Sequence, residues 1–249
     1  MARFVLVHGA FVGAWAWKPL IEALEAQGHT AEALDLPGSG EDHTPVADVT
    51  LDACAERVCA VLGEREEPAI LVANSMGGVI VTQAADRCPD RIESLVYVAA
   101  FLPKDGQSLL DLTKLPEGRA DQVQANIVVE GDPPVATMPD EASVDALYGA
   151  CSKEVADWAI AHQRPQPVAP FVTPVSLDRG GFDRITRRMY VLCTRDRAIP
   201  PPLQRLMLGQ GGCSDVLELD TDHSPHMSIT AELADYLDRA ATRSAEPAR

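Results

Sequence analysis

A serine becomes a nucleophile when the chain lifts its hydroxyl out of a tight turn and sets a base beside it. Ser75 stands in Ala73-Asn74-Ser75-Met76-Gly77-Gly78, after the apolar run 69–73 and before a segment with helical spacing. A strand that turns sharply into a helix holds such a serine in a strained conformation, so its neighbours must be small. Gly77 and Gly78 meet that need; Ala73 replaces the glycine of the common G-x-S-x-G pattern, which leaves the turn feasible but tighter. At the helix start, the Met76 amide can point at a developing oxyanion. His8-Gly9-Ala10 ends the first apolar run, and its small residues let the Ala10 amide serve as a second donor.

Serine alone is a weak nucleophile at neutral pH and needs a general base. His223 lies in Asp220-Thr221-Asp222-His223-Ser224, and Asp196 in Cys193-Thr194-Arg195-Asp196; each follows a late apolar run. The order Ser75, Asp196, His223 suits nucleophile, orienting acid and base. Asp220 and Asp222 are rival acids, and His226 is a rival base. Closeness in sequence is not geometry, so Asp196 and His223 are preferred. Hydrogen bonds of about 2.6–3.2 Å are expected along the triad. His29, His43 and His162 read as ordinary packed or surface histidines.

These residues need a scaffold. Segments 4–7, 29–36, 69–73, 94–100, 188–194 and 216–219 read as strands. Helical spacing predicts helices over 17–27, 51–62, 77–87, 202–208 and 229–239. The alternation implies an α/β fold, a mostly parallel six-stranded sheet with helices on both faces. Ligands of such sheets sit beyond the carboxyl ends of the strands, where all the candidates fall. From 102 to 181 the rhythm breaks and prolines crowd, with short helices expected near 141–149 and 152–162. Leu147, Tyr148, Trp158 and Ile160 give this stretch apolar faces to bury. It therefore reads as a small helical cap inserted between core segments 1–101 and 182–249, all one compact unit. The tail from Ala241 is expected to fray.

The 249 residues carry a formal charge of −16, which argues against a nucleic-acid partner and an anionic membrane surface. The first apolar run is too short for a secretory signal, and none approaches the roughly 20 residues of a membrane helix. A cytoplasmic protein is expected. Cys54, Cys59, Cys88, Cys151, Cys193 and Cys213 form no C-x-x-C pair and no metal-like spacing. They are expected to be free thiols, with no metal site.

Five motifs together carry a family resemblance. They are Val7-His8-Gly9-Ala10 with Gly13-Ala14-Trp15, Asp35-Leu36-Pro37-Gly38-Ser39-Gly40, the Ser75 turn, Cys193-Thr194-Arg195-Asp196 with Ala198-Ile199-Pro200, and Asp222-His223-Ser224-Pro225. Over nearly its whole length the chain resembles the plant methylesterase and hydroxynitrile lyase branch of the α/β-hydrolase superfamily, and its bacterial esterase relatives. The resemblance implies an α/β-hydrolase fold with a six-stranded core, no metal, no cofactor, and often a homodimer. It implies a deep, mostly apolar pocket for a small ester, with Ala10 and Met76 as oxyanion hole. Phe11, Val12, Trp15, Phe101, Leu102, Tyr148 and Trp158 are the implied pocket wall. The expected activity is serine hydrolysis of a small carboxylic ester, a methyl ester or an ester of an aromatic or polyketide-type acid, through an acyl-enzyme. A natural-product tailoring hydrolase or cyclase, or a hydroxynitrile-lyase-like enzyme, is the alternative use of the same triad. Lyases of the branch with a lysine directly after the catalytic histidine use its charge on cyanide; here that residue is Ser224. A ligand receptor on a hydrolase scaffold is opposed by the complete triad pattern. Ser75 also opposes epoxide hydrolases and dehalogenases, which use aspartate there.

Overall fold

The computed structural model describes residues 1–244. Its strands are β1 (Arg3–Val7), β2 (Thr30–Leu34), β3 (Ala69–Ser75), β4 (Ile92–Ala100), β5 (Val128–Glu130), β6 (Val135–Thr137), β7 (Gln166–Pro167), β8 (Arg188–Cys193) and β9 (Asp215–Leu219). The helices are α1 (Lys18–Ala26), α2 (Leu51–Gly63), α3 (Gly77–Arg87), α4 (Leu109–Thr113), α5 (Gln122–Asn126), α6 (Asp140–Leu147), α7 (Lys153–His162), α8 (Ala169–Val172), α9 (Gly181–Arg184), α10 (Pro201–Gln210), α11 (Pro225–Ser228) and α12 (Thr230–Ser244).

Six strands form one parallel sheet in the order β2-β1-β3-β4-β8-β9. Alternate residues of each strand face opposite sides, and both sides are covered. Phe4, Leu6, Ile70 and Val72 pack with Leu20, Leu24, Leu233 and Leu237 of α1 and α12. Val5, Val7, Leu71 and Ala73 belong to the opposite core, with Val58 of α2 and Val81 of α3. Strands buried on both faces read as apolar runs without alternation, which is why β1, β3, β4 and β8 are legible in sequence, whereas the edge strands β2 and β9 are only half-buried.

The stretch between β4 and β8 is tied back to α3 by buried polar groups. Gln83 donates to the Ser176 carbonyl at 2.9 Å and accepts the Ser176 amide at 2.8 Å. Asp86 accepts the amides of Arg179, Gly181 and Phe182 at 2.9, 2.8 and 3.2 Å. A buried carboxylate is tolerated here because those donors replace its hydration.

Three expectations are corrected. The cap is not wholly helical: β5, β6 and β7 make a small antiparallel sheet. Strands of two or three residues, one ending in Pro167, carry too little periodicity to be seen in sequence. Cys59 and Cys88 are not free thiols but a disulfide, 29 residues apart in sequence and brought together where α2 packs on α3. Cys54, Cys151, Cys193 and Cys213 are free, as expected. Since disulfides persist in oxidising compartments, the cysteines no longer argue for a reducing one. Finally, residues 241–244 continue α12 rather than fray, and the remainder of the expected tail lies outside the described residues. No described helix is long and apolar enough to cross a membrane.

Candidate active site

The first, third, fourth, fifth and sixth core strands deliver their carboxyl ends to one cavity, mostly apolar in its lining. Ser75 closes β3 with φ of 55°, a left-handed conformation that is unfavourable for any residue with a side chain. The turn exists because its surroundings lack side chains. A Cβ on Gly9 would lie 2.7 Å from the Ser75 Cβ, and one on Gly77 would lie 2.7 Å from the His8 and Val7 carbonyl oxygens. Ala73, where glycine is usual, is a regular buried residue of β3 paired with Val7 and Tyr97, and does not prevent the turn.

Gly78 meets a tighter limit than Gly9 and Gly77. A Cβ there would come within 2.1 Å of the Phe101 carbonyl oxygen, which is backbone and cannot swing aside. Gly78→Ala is therefore expected to lower the unfolding free energy by about 3 kcal/mol, read as a fall in the urea midpoint. An unchanged midpoint would show that β4 yields at no cost.

His8 shapes the loop that carries Ala10. Its Nε2 accepts the Leu36 amide at 3.1 Å, so Nδ1 bears the proton and donates to the Gly9 carbonyl at 2.7 Å. Burial holds its pKa below the ordinary value and keeps the ring neutral. The next residue after Ala10 is held from the cap: the Phe11 amide donates to Gln166 Oε1 at 3.3 Å, and its carbonyl accepts the Arg164 amide at 2.9 Å. Phe11 also has positive φ, 68°. Ala10 and Met76 both line the cavity beside Ser75.

His223 lines the same cavity from the loop after β9. Its Nδ1 lies 2.8 Å from Asp196 Oδ2. An ionised carboxylate only accepts, so Nδ1 carries the proton and Nε2 presents a lone pair. That Nε2 is buried and without a partner among the described residues, so the expected bond to the Ser75 hydroxyl is not formed in this geometry. Burial disfavours the imidazolium, but Asp196, then Asp222 and Asp121, outweigh it and raise the His223 pKa above the ordinary value.

The rival carboxylates are used elsewhere. Asp222 accepts the Ala150 amide at 2.9 Å through Oδ2, and the Ser224 amide and Ser228 hydroxyl through Oδ1. Asp220 is exposed and pairs with Arg195. Asp196 itself is held on all sides. Oδ1 accepts the Ala198 and Ile199 amides at 2.8 and 2.9 Å, and Oδ2 accepts Gln204 Nε2 at 3.0 Å besides the imidazole. Gln204 is in turn fixed by Cys193, whose amide its Oε1 accepts at 3.1 Å. His226 lines the cavity, with its ring 4.3 Å from that of Trp17. Burial, then repulsion from His223, lowers its pKa to about 3.

Asn74 had no sequence rationale. Its Nδ2 donates to the Val98 carbonyl at 2.9 Å and to the His223 carbonyl at 3.1 Å, joining the turn of Ser75 to the loop of His223. Neither Asn74 nor Gln204 has a local signal that could reveal this, because each partner is distant in sequence or on another element.

Of the anticipated wall, Phe11, Val12, Phe101 and Tyr148 line the cavity. Trp15, Leu102 and Trp158 are not among its lining residues. Trp15 packs edge-on against Trp158, centroids 4.9 Å apart, and Trp158 is 42 % exposed. Leu102 turns toward α10, its amide facing Met207 Sδ and its side chain filling the space above Gly211. The cap supplies wall residues that sequence analysis missed, among them Asp121, Ile127 and Phe171.

A buried imidazole and a serine on a strained turn that line one cavity are the groups acyl transfer needs, and the chain is similar to several described proteins. Methylesterase 7 of Arabidopsis thaliana is 33 % identical, over 94 % of this chain and 94 % of its own. Alpha-hydroxynitrile lyase of Arabidopsis thaliana is 32 % identical, over 96 % and 97 %. The structure of polyneuridine aldehyde esterase superposes with a TM-score of 0.85 at 25 % identity, covering 97 % of this chain and 99 % of that one. The description "Alpha/beta hydrolase family" fits residues 4–236, all the core strands and the cap between them, and the chain belongs to that family.

Proposed function

We propose that this chain is a carboxylic ester hydrolase that works through an acyl-enzyme on Ser75. The observation that carries this reading is the unpaired Nε2 of His223, buried in the cavity that Ser75 faces, with its tautomer set by Asp196. The relatives' names, methylesterase among them, support ester hydrolysis.

In the proposed cycle the Ser75 hydroxyl attacks the ester carbonyl while His223 Nε2 takes its proton. The Ala10 and Met76 amides receive the oxyanion. Collapse of the tetrahedral intermediate expels the alcohol, which takes the proton from His223. Water, deprotonated by the same nitrogen, then releases the acid and restores Ser75. Asp196 stabilises the imidazolium in both halves. The mostly apolar wall favours a small ester, a methyl ester or one of an aromatic or polyketide-type acid. The lyase relative makes cyanohydrin cleavage the second reading. Ser224 follows His223 where a lysine would hold cyanide, and no lysine or arginine lines the cavity, which favours the esterase.

The test is a series of p-nitrophenyl esters of rising acyl length, beside labelling with a fluorophosphonate. Turnover together with one phosphonylated residue, Ser75 by peptide mass, is expected. A folded protein that cleaves mandelonitrile but no ester would overturn the reading in favour of the lyase.

The pH profile follows from His223. The base must be neutral to accept a proton, so kcat/KM falls as pH falls through its pKa. Since that pKa is raised, the acid limb is expected to have its midpoint above the ordinary histidine value of about 6.5. A midpoint below that value would mean the acidic neighbours do not act on the imidazole as the geometry implies.

A further inference from the structure

The cavity has one acidic wall residue that the proposed cycle does not use. Asp121 precedes α5, is buried, 4 % exposed, and lines the cavity. Its Oδ1 accepts the Val123 and Gln124 amides at 2.8 and 2.9 Å. Its Oδ2 has no hydrogen-bond partner among the described residues, and it is not one of their sealed, unpartnered polar atoms. The Gln124 side chain lines the cavity beside it, whereas Val123 and Ile127 make the rest of that wall apolar. Burial pushes its pKa up to about 7, with the charges of Asp196 and His223 close enough to act on it. Asp121 and His223, which in the proposed cycle hands its proton to the leaving alcohol, line the same cavity.

An apolar pocket gains nothing from a carboxyl left half-paired, since an unsatisfied buried polar group costs free energy. A substrate group can complete its hydrogen bonding. Among the described residues no lysine or arginine lines the cavity to hold an anion, and in its ionised form Asp121 only accepts, so the group that matches the carboxylate is a donor. Resting on the ester-hydrolase reading above, we propose that Asp121 is the specificity-determining residue, and that its free oxygen accepts a hydrogen bond from an N–H donor, a protonated amine in particular, on the alcohol portion of the ester.

The test compares 2-(dimethylamino)ethyl butyrate with its neutral isostere 3-methylbutyl butyrate, and with the choline ester, which has charge but no N–H. Asp121→Asn is the informative variant, because asparagine keeps an oxygen for the Val123 and Gln124 amides and so preserves the start of α5. The wild type is expected to prefer the amine ester over the isostere in kcat/KM by about tenfold or more, the worth of one charge-assisted hydrogen bond, and the variant is expected to lose that preference. Taking the ratio of two esters on one enzyme cancels any change in His223. A choline ester favoured as strongly as the amine ester would overturn the hydrogen bond and leave charge alone. An equal ratio in wild type and variant would overturn the proposal, and identify Asp121 as a helix cap only. Calorimetric titration of the same esters into Ser75→Ala, with and without Asp121→Asn, reads recognition without turnover. A folded wild type that cleaves none of the esters would sink the esterase reading, while the binding ratio would still decide the role of Asp121.

Discussion

Ser75→Gly is expected to abolish ester hydrolysis and to stabilise the protein. Loss of the hydroxyl removes the proposed nucleophile, and enzymes of this chemistry then fall by about 10,000-fold or more in kcat. The same change relieves the backbone. Ser75 has φ of 55°, where glycine is at ease and other residues are strained. A gain of about 1 kcal/mol in unfolding free energy is expected, seen as a higher urea midpoint. Ser75→Ala is the control: it loses activity equally but keeps a Cβ at positive φ, and so lacks the gain. Activity that survives either change would remove Ser75 from the chemistry. Activity lost with falling stability in both would mean that the turn, and not the hydroxyl, had been damaged.

Asp196→Asn is the second large effect, and its cause is the saturation of the carboxylate. Four donors converge on it: the Ala198 and Ile199 amides, Gln204 Nε2 and the His223 ring. Asparagine offers one oxygen and one NH₂. If its oxygen keeps the two amides, the NH₂ confronts Gln204 and His223 together. Gln204 cannot turn to accept, because Cys193 and Ile199 fix its amide through both ends. His223 is left to switch tautomer, with Nδ1 accepting and Nε2 protonated, and an imidazole in that form is no base toward Ser75. A fall in kcat of about 10,000-fold is expected with KM little changed. The check is steady-state kinetics beside a far-ultraviolet circular dichroism spectrum that matches wild type. A loss under tenfold would show that orientation of His223 does not depend on Asp196.

The two effects share a feature of the fold. Asn74 bonds to the His223 carbonyl, so the element that strains Ser75 also places the proposed base. On the other side, Asp222 receives the Ala150 amide and Gln166 receives the Phe11 amide, so the cap holds both the histidine loop and the loop of Ala10. Rigid placement of this kind lets reactive groups be held without a solvent shell to reorganise.

Much of this was legible because it is local. Core strands buried on both faces leave apolar runs, and the glycines at 77 and 78 announce a turn that tolerates no side chain. Each candidate of the triad follows a core strand, and a parallel sheet necessarily collects the ends of its strands on one edge. What was not legible is equally specific. Trp15, Leu102 and Trp158 are apolar residues near the right loops, and composition does not reveal that they turn to another neighbour. The cap sheet has strands too short to show a period.

The sequence by itself determined the α/β class, the order of the core strands along the chain, the position of the turn at Ser75 and the residue types available around it. Those follow from hydrophobic periodicity and from steric limits that act within a few residues. Only the tertiary structure decided that Asp196 rather than Asp220 or Asp222 meets His223, that Cys59 reaches Cys88, and that Asp121 faces the cavity. These depend on distances between side chains far apart in sequence. Such distances are set by the packing of whole elements, which no local pattern encodes.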